Sequence, residues 1–574
     1  MTRVLSATWV VAVILTGVSA AAQAADYVVG PAGDDAATGL AGAPWRTIQR
    51  ALRNAKPGDT VTVEDGTYAG LACDGVSGTT ASRIVLRARN RWGAKITSAT
   101  PDSSQDFVQL SSCSYVTIDG FEVSGAPRSG IAILGNSDDG SDARGVIIQN
   151  CYSHDNGGTS SAGRHDGIFS GFALDLTIQD NRVDTTGEHG IYVSNAADNP
   201  AILRNDISNT GSNCIQINAD LSTGGDGLIS NWRIEGNTLR NCKGAAGINL
   251  DGAIRGVARN NVIFNAAKGG ITLFQGDGAE ASHHNLVVNN TIYDPTGSRA
   301  AIQVADGAND NVVFNNILVA QGTALEVQTV TGLVHDYNLV SSYSGTSASA
   351  HEAKPASFAS LFADAAGGDL HLASSAAAAI DQGVAALGGM AAPATDVAGG
   401  MRPVGAGFDI GAYELGSTPS TGSGGAGGGG GRGGSGGGGG GGSGGAGGAS
   451  TGGAGGRAAG AGGGAGRGAP GGSIGAGARG GGPSGEAGAA AAGRAGASTG
   501  GAGGGGGVAP TGGSAGSASD GGADAVPAAS STGGGGCGCR AAGSPHGGET
   551  GIVLTSGVLI LVLARRRRAH GPRG

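Results

Sequence analysis

The chain has 574 residues, 119 of them glycine, with 4% aromatic and 14% charged residues and a formal net charge of −9. Glycine usually stands near about 7% and charged residues near about 25%, so the whole is no single globular domain. Collagen is excluded, because the glycines run together, as at 433–434 and 436–442, without a three-residue period. Repeated membrane crossing is excluded too, since long apolar runs stand only at the two ends.

Residues 1–25 carry Arg3, an apolar stretch from Val10 to Ala22, and small residues at Ala22, Ala24 and Ala25. These are the charged, apolar and cleavage segments of a secretory signal, so the mature chain begins near Asp26 in an exported compartment. From Thr47 to Ala55 the apolar positions Ile48, Ala51, Leu52 and Ala55 form one face of a short helix. Pro57-Gly58-Asp59 ends it, and Val61 to Val63 begins the first strand. The helix is placed to cap an exposed sheet end.

An internal repeat follows. Asn150-x-Tyr152, Asn181-x-Val183, Asn205-x-Ile207, Asn237-x-Leu239, Asn261-x-Ile263, Asn290-x-Ile292 and Asn316-x-Leu318 recur at intervals of 31, 24, 32, 24, 29 and 26 residues. Between them stand Gly167-Ile168, Gly190-Ile191, Cys214-Ile215, Gly247-Ile248, Gly270-Ile271 and Ala301-Ile302, each opening an alternating run such as IYV or IQI. Short strands of period two, separated by Gly and Asn turns, make units with no helical face. A unit near 24 residues suits one turn of a single-stranded right-handed parallel β-helix, an all-β solenoid whose turns share a core only when stacked. Asn181, Asn205, Asn237, Asn261, Asn290 and Asn316 are expected to form a ladder along its axis. A sandwich or propeller does not account for matched Asn and Gly-Ile columns. The domain is 26–416.

Five cysteines, Cys73, Cys113, Cys151, Cys214 and Cys242, lie in this domain, leaving at least one unpaired within it. Stacking makes Cys73–Cys113 the first choice of disulfide and Cys214–Cys242 the second, each between neighbouring turns; spacing alone proves neither.

Residues 417–536 hold 58 glycines in 120 positions and no Phe, Trp or Tyr, the composition of a disordered linker. With +1 on the signal, +2 on the linker and +5 on the tail, the domain carries −17. That sign excludes a nucleic-acid partner and calls for a cation if the partner is an anionic glycan. The tail, 537–574, sets Cys537 and Cys539 before an apolar run at 551–564 and Arg565–Arg568. It is read as a short transmembrane segment with a positive stop.

Two resemblances follow from these residues. The order of Gly-rich linker, Cys537/Cys539, marginal apolar helix and Arg565–Arg568 resembles the surface-sorting signals of myxobacteria, which implies display on the cell surface through a sorting machinery. The block PWRTIQRALRNAKPGDTVTVEDGTY (Pro44–Tyr68), the run YVTIDGFEV (Tyr115–Val123) and the ending DLHLASSAAAAIDQG with FDIGAYE resemble secreted pectate-lyase-like β-helix proteins. That resemblance covers about 26–416 and implies fold rather than activity.

Aligned on the Gly-Ile markers, His165, Glu188, Ser212, Ala245, Lys268 and Arg299 stand three places before the Ile. Asp166, His189, Asn213, Ala246, Gly269 and Ala300 stand two before it. Tyr192, Gln216, Asn218, Asn249 and Asp277 come within or just beyond the strands and are candidate substrate contacts. Polar corners are ordinary in themselves, but their concentration over 164–277 places the site there. For β-elimination on a uronate glycan, Lys268 is a candidate base, with His165, Asp166, Glu188 and His189 as further acid–base groups. Asp166, Asp220 and Asp251 offer oxygens for Ca²⁺. The alternatives are a glycoside hydrolase with an Asp/Glu pair, carboxylates on adjacent turns lying about 4.8 Å apart, and a non-catalytic glycan-binding or envelope protein using Tyr192 and Trp232. The expected partner is a polysaccharide and the expected state a monomer.

Overall fold

The structure is a computed structural model that describes residues 24–419 apart from 101–104, 136–142, 159–164 and 196. The signal segment to residue 23, the linker from 420 and the tail lie outside the described residues. Among the described residues no helix is long and apolar enough to cross a membrane, which corrects the expectation of a transmembrane chain; the run 551–564 that prompted it lies outside them.

Period-two apolar strands divided by turn residues cannot bury both faces alone, so they stack. Three parallel sheets result. Sheet A has 12 strands, from Asp26–Val29 to Val334–Asp336; sheet B has 11, from Gly66–Ala69 to Leu339–Val340; sheet C has 11, from Leu71–Asp74 to Tyr343–Ser344. The chain visits A, B and C in order and rises one strand per circuit. Inward residues fall in register: Ile178, Ile202 and Ile234 in A, Val183, Ile207 and Leu239 in B, Ile191, Ile215 and Ile248 in C, all fully buried. Helix α1 (Ile48–Asn54) buries Ile48, Ala51 and Leu52, and its N-cap Thr47 accepts a hydrogen bond from the Arg50 N–H. One strand precedes the expected first: Asp26–Val29 pairs with Thr60–Val63 and extends sheet A under the helix.

At the A–B corner the ladder is built from asparagine side chains. Each main-chain N–H donates to the Oδ1 of the next: Asn181 to Asn205 at 3.1 Å, Asn205 to Asn237 at 2.9 Å, Asn237 to Asn261 at 3.0 Å, and on through Asn290 and Asn316 to Asn338. The first position departs from the reading. Asn150 is the left-handed residue (φ 56°) before the corner, and the ladder slot belongs to the buried Cys151, whose N–H reaches Asn181 Oδ1 at 2.9 Å. Tyr152 then points outward opposite Arg182, so the Asn150-x-Tyr152 match sits one place early.

Cys73 is bonded to Cys113 and Cys214 to Cys242, with Cys151 free and buried. Beyond the last turn the chain folds back. Leu361, Phe362, Leu370, Leu372 and Ile410 cover the outer face of sheet B at Val262, Tyr293, Ile317 and Val319. The buried Arg402–Glu414 pair, 3.0 Å apart, ties this segment together.

Candidate functional site

The site forms at the B–C corner, where each turn hands its chain to an outward-facing column of sheet C. Two residues before the first inward Ile, the side chain faces along the axis and can accept the N–H of the next turn. Asp166 does this: its Oδ1 accepts from the His189 N–H at 3.2 Å and lies 3.0 Å from His189 Nδ1. Asn213 does the same for the Ala246 N–H at 2.8 Å. Asp166 is fully buried, and its second oxygen, Oδ2, has no hydrogen-bond partner among the described residues. Glu188, half-buried, stands beside it one turn on. Asp166, Glu188 and His189 each offer one ligand atom within 4.8 Å of the others, so a buried acidic and imidazole cluster able to hold a metal ion exists here.

The His189 ring lies 4.9 Å from that of Tyr192, whose other neighbour is Phe169, edge-on at 5.3 Å. The Tyr192 hydroxyl accepts from Asn218 Nδ2 at 3.3 Å, and the same amide lies 3.5 Å from Asp277 Oδ2. Burial pushes the Tyr192 phenol up to about 12, against the bonds from Asn218 and Ser194 and with the Asp166 and Asp220 charges adding to the rise. Down the same outward column Gln216, Asn249 and Thr272 continue a polar stripe. Gln216 Oε1 accepts from Asn213 and, at 3.2 Å, from Asn249, whose Oδ1 accepts from Thr272 at 2.6 Å.

The structure thus brings Asp166, Glu188, His189, Tyr192, Asn218 and Asp277 together, with Gln216 and Asn249 adjoining. His165 lies beside the cluster, its carbonyl accepting the Glu188 N–H at 2.8 Å. Lys268 is exposed in the column of Glu188 but three turns further along, about 14 Å away at the usual strand spacing. It does not join the group.

The three-aspartate calcium set does not form among the described residues. Asp220 caps the short 3-10 helix Leu221–Thr223, its Oδ1 accepting from Ser222 N–H and Oγ at 2.8 and 2.6 Å. Asp251 accepts three loop N–H groups, from Gly276, Asp277 and Gly278, at 2.8, 2.6 and 3.3 Å. Burial raises its pKa while those bonds hold it down. Trp232 is fully buried and makes no surface contact. Asp106 and Arg128, outside the expected site columns, occupy this corner two turns earlier; Gly130-Ile131 is a further Gly-Ile marker, and Ile131 pairs with Ile168 in register.

The sequence matches the family described as right handed beta helix region over residues 84–223 and 219–337, and a protein of unknown function (DUF1565) over 31–78. No curated protein matches it. Among solved structures it is similar to pectate lyase Pel9A, at 16% identity and a TM-score of 0.45 over 68% of this chain and 96% of that one. It is similar also to an alginate lyase from Paenibacillus sp. str. FPU-7, at 19% identity and a TM-score of 0.36 over 51% and 95%. A GH136 lacto-N-biosidase from Eubacterium ramulus follows at 15% identity and 0.34, over 55% and 67%. At these identities the likeness is one of fold.

Proposed function

We propose that the chain is an exported, surface-displayed protein that holds a uronate-containing polysaccharide along the outward face of sheet C and cleaves it by β-elimination at Tyr192. The observation that carries this reading is the placement of the Tyr192 hydroxyl. It stands between the Asp166–Glu188–His189 cluster and the Asn218–Asp277 pair, at the head of the Gln216–Asn249–Thr272 stripe. A stripe of amides and hydroxyls parallel to the axis suits a chain of sugar hydroxyls, and the Tyr192 ring, braced edge-on by the buried Phe169, supplies an apolar face.

In this reading the C5 proton of the uronate leaves to the His165 imidazole beside the acidic cluster. Its bonding electrons form the C4=C5 double bond, and the C4–O4 bond breaks as the Tyr192 hydroxyl protonates the departing O4. Asn218 fixes the phenol, and Asp277 fixes Asn218. Positioned proton transfer of this kind contributes about a hundredfold or more to a rate. Export is supported by the signal at 1–25, and display by the linker and the tail with Cys537, Cys539 and Arg565–Arg568.

The test is incubation of the purified mature chain with a panel of polyuronates and neutral glycans, with and without divalent ions including Ca²⁺. Ultraviolet absorbance of an unsaturated product is the expected result. New reducing ends without that absorbance would make it a hydrolase, and retention on glycan without cleavage would make it a binding module.

A further inference from the structure

The corner column contains the same structural device twice, with opposite outcomes. At Asp106 the next turn supplies the Ser129 N–H, 3.0 Å from Oδ1, together with Arg128. The Arg128 guanidinium donates Nε to Oδ1 at 2.9 Å and Nη2 to Oδ2, so both oxygens of a fully buried carboxylate meet donors and its charge is matched. At Asp166 the next turn again supplies the N–H, from His189. The residue in the place of Arg128 is Glu188. A cation has been exchanged for an anion beside a buried carboxylate, and Asp166 Oδ2 is left without a partner among the described residues. A buried carboxylate with one oxygen unpartnered is costly, and a second carboxylate beside it adds repulsion.

We propose that Asp166, Glu188 and His189 bind one divalent transition-metal ion of the zinc or manganese class. The ion takes the electrostatic place that Arg128 fills above Asp106. With Oδ1 occupied by the main chain and ring of His189, Oδ2 is the oxygen Asp166 has left to offer. The donor set selects the ion. Imidazole suits zinc and its neighbours, whereas calcium takes six to eight oxygens, and the aspartates that would extend an oxygen set, Asp220 and Asp251, have carboxylates bonded elsewhere. Ligands about 2 Å from zinc lie up to ~4 Å from one another, so atoms within 4.8 Å need close only slightly. Three protein ligands leave coordination open beside Tyr192. If the β-elimination reading holds, that position receives the uronate carboxylate and offsets the −17 of the domain locally; the use of the ion rests on that reading, and its binding does not.

The experiment strips the mature full-length chain with a chelator and titrates it calorimetrically with Zn²⁺ and with Mn²⁺, glycan absent and Ca²⁺ as competitor. One ion per chain is expected, unmoved by Ca²⁺ at equal concentration. Glu188→Gln and His189→Gln should each weaken it by about tenfold or more. The surface pair of half-buried His283 and exposed His284, whose Nδ1 atoms face each other at 2.7 Å, is an alternative zinc ligand set, so His283→Gln/His284→Gln is the control and should leave the stoichiometry unchanged. Asp166→Asn tests the third ligand, with circular dichroism to show that the coil persists. No uptake by the folded chain overturns the site. So does uptake that survives Glu188→Gln and His189→Gln, or that vanishes with His283 and His284. A chain that binds zinc and leaves every polyuronate intact retains this site and overturns the proposed cleavage.

Discussion

The Asp106 and Asp166 corners share a backbone position, a buried aspartate and a main-chain N–H from the turn above. They differ in the residue standing over the carboxylate, Arg128 in one and Glu188 in the other. In the first, charge is matched internally and the corner serves the fold. In the second one carboxylate oxygen has no partner among the described residues, and a histidine and a tyrosine gather around it. A repeating scaffold can therefore assign one position to stability and its equivalent to chemistry by exchanging a few side chains: Arg128 for Glu188, Ser129 for His189 and Ala132 for Tyr192.

The largest effect should come from removing the internal match. Arg128→Ala takes the cation from a buried carboxylate and should cost about 3 kcal/mol in a denaturant titration, whereas Glu188→Ala removes a repulsion and should cost under about 1 kcal/mol. Equal costs would mean that the two corners are not different in kind. Next, Tyr192→Phe should lower cleavage about a hundredfold with the melting temperature kept, while Lys268→Ala, three turns away, stays within about twofold. A large loss at Lys268 would move the chemistry down the column.

A third buried carboxylate extends the comparison. Asp294 accepts the Ala266 N–H on both oxygens, at 2.9 and 3.0 Å, and burial raises its pKa to about 7 against those bonds. The folded state thus holds a proton that the unfolded chain has released. The stability this lends is present below about pH 4 and is lost as pH rises through about 7. Asp294→Asn should raise the melting temperature at pH 8, by up to a few kcal/mol of stability, and leave it unchanged near pH 4; a gain independent of pH would rule out the proton. The smallest effect is a gain from Glu188→Arg, which copies the first corner into the second. It should add on the order of 1 kcal/mol and abolish zinc uptake.

The coil was legible because its ladder repeats. Asn181 through Asn316 recur once in every turn, and the Gly-Ile markers bring Glu188 and His189 into the columns they occupy. Asn150 misled, because an asparagine suits the left-handed residue before the corner as well as the ladder slot itself. The site was legible only as columns. Which polar members are spent on backbone depends on loops without a period: nothing in the repeat announces that the turn at Gly276–Gly278 folds its N–H groups onto Asp251, or that Asp220 starts a 3-10 turn. The missed partner of the site, Asp106 with Arg128, carried a marker in Gly130-Ile131 but belongs to a turn whose polar residues serve packing.

The asparagine ladder also gives the solenoid an electrical direction. Seven main-chain N–H groups, from Cys151 to Asn316, all point to the oxygen of the following turn. Amides aligned head to tail polarise one another and add their dipoles, as peptide units do in a helix. The positive end emerges at Asn338, and there the Asn338 amide donates to the buried carboxylate of Glu352 at 2.7 Å. Burial alone would raise that acid, but the bonds from His335 and Asn338 hold it below the usual carboxylate range. The coil ends, in effect, on its own counter-ion, so lengthening the stack by a turn would require moving that charge with it.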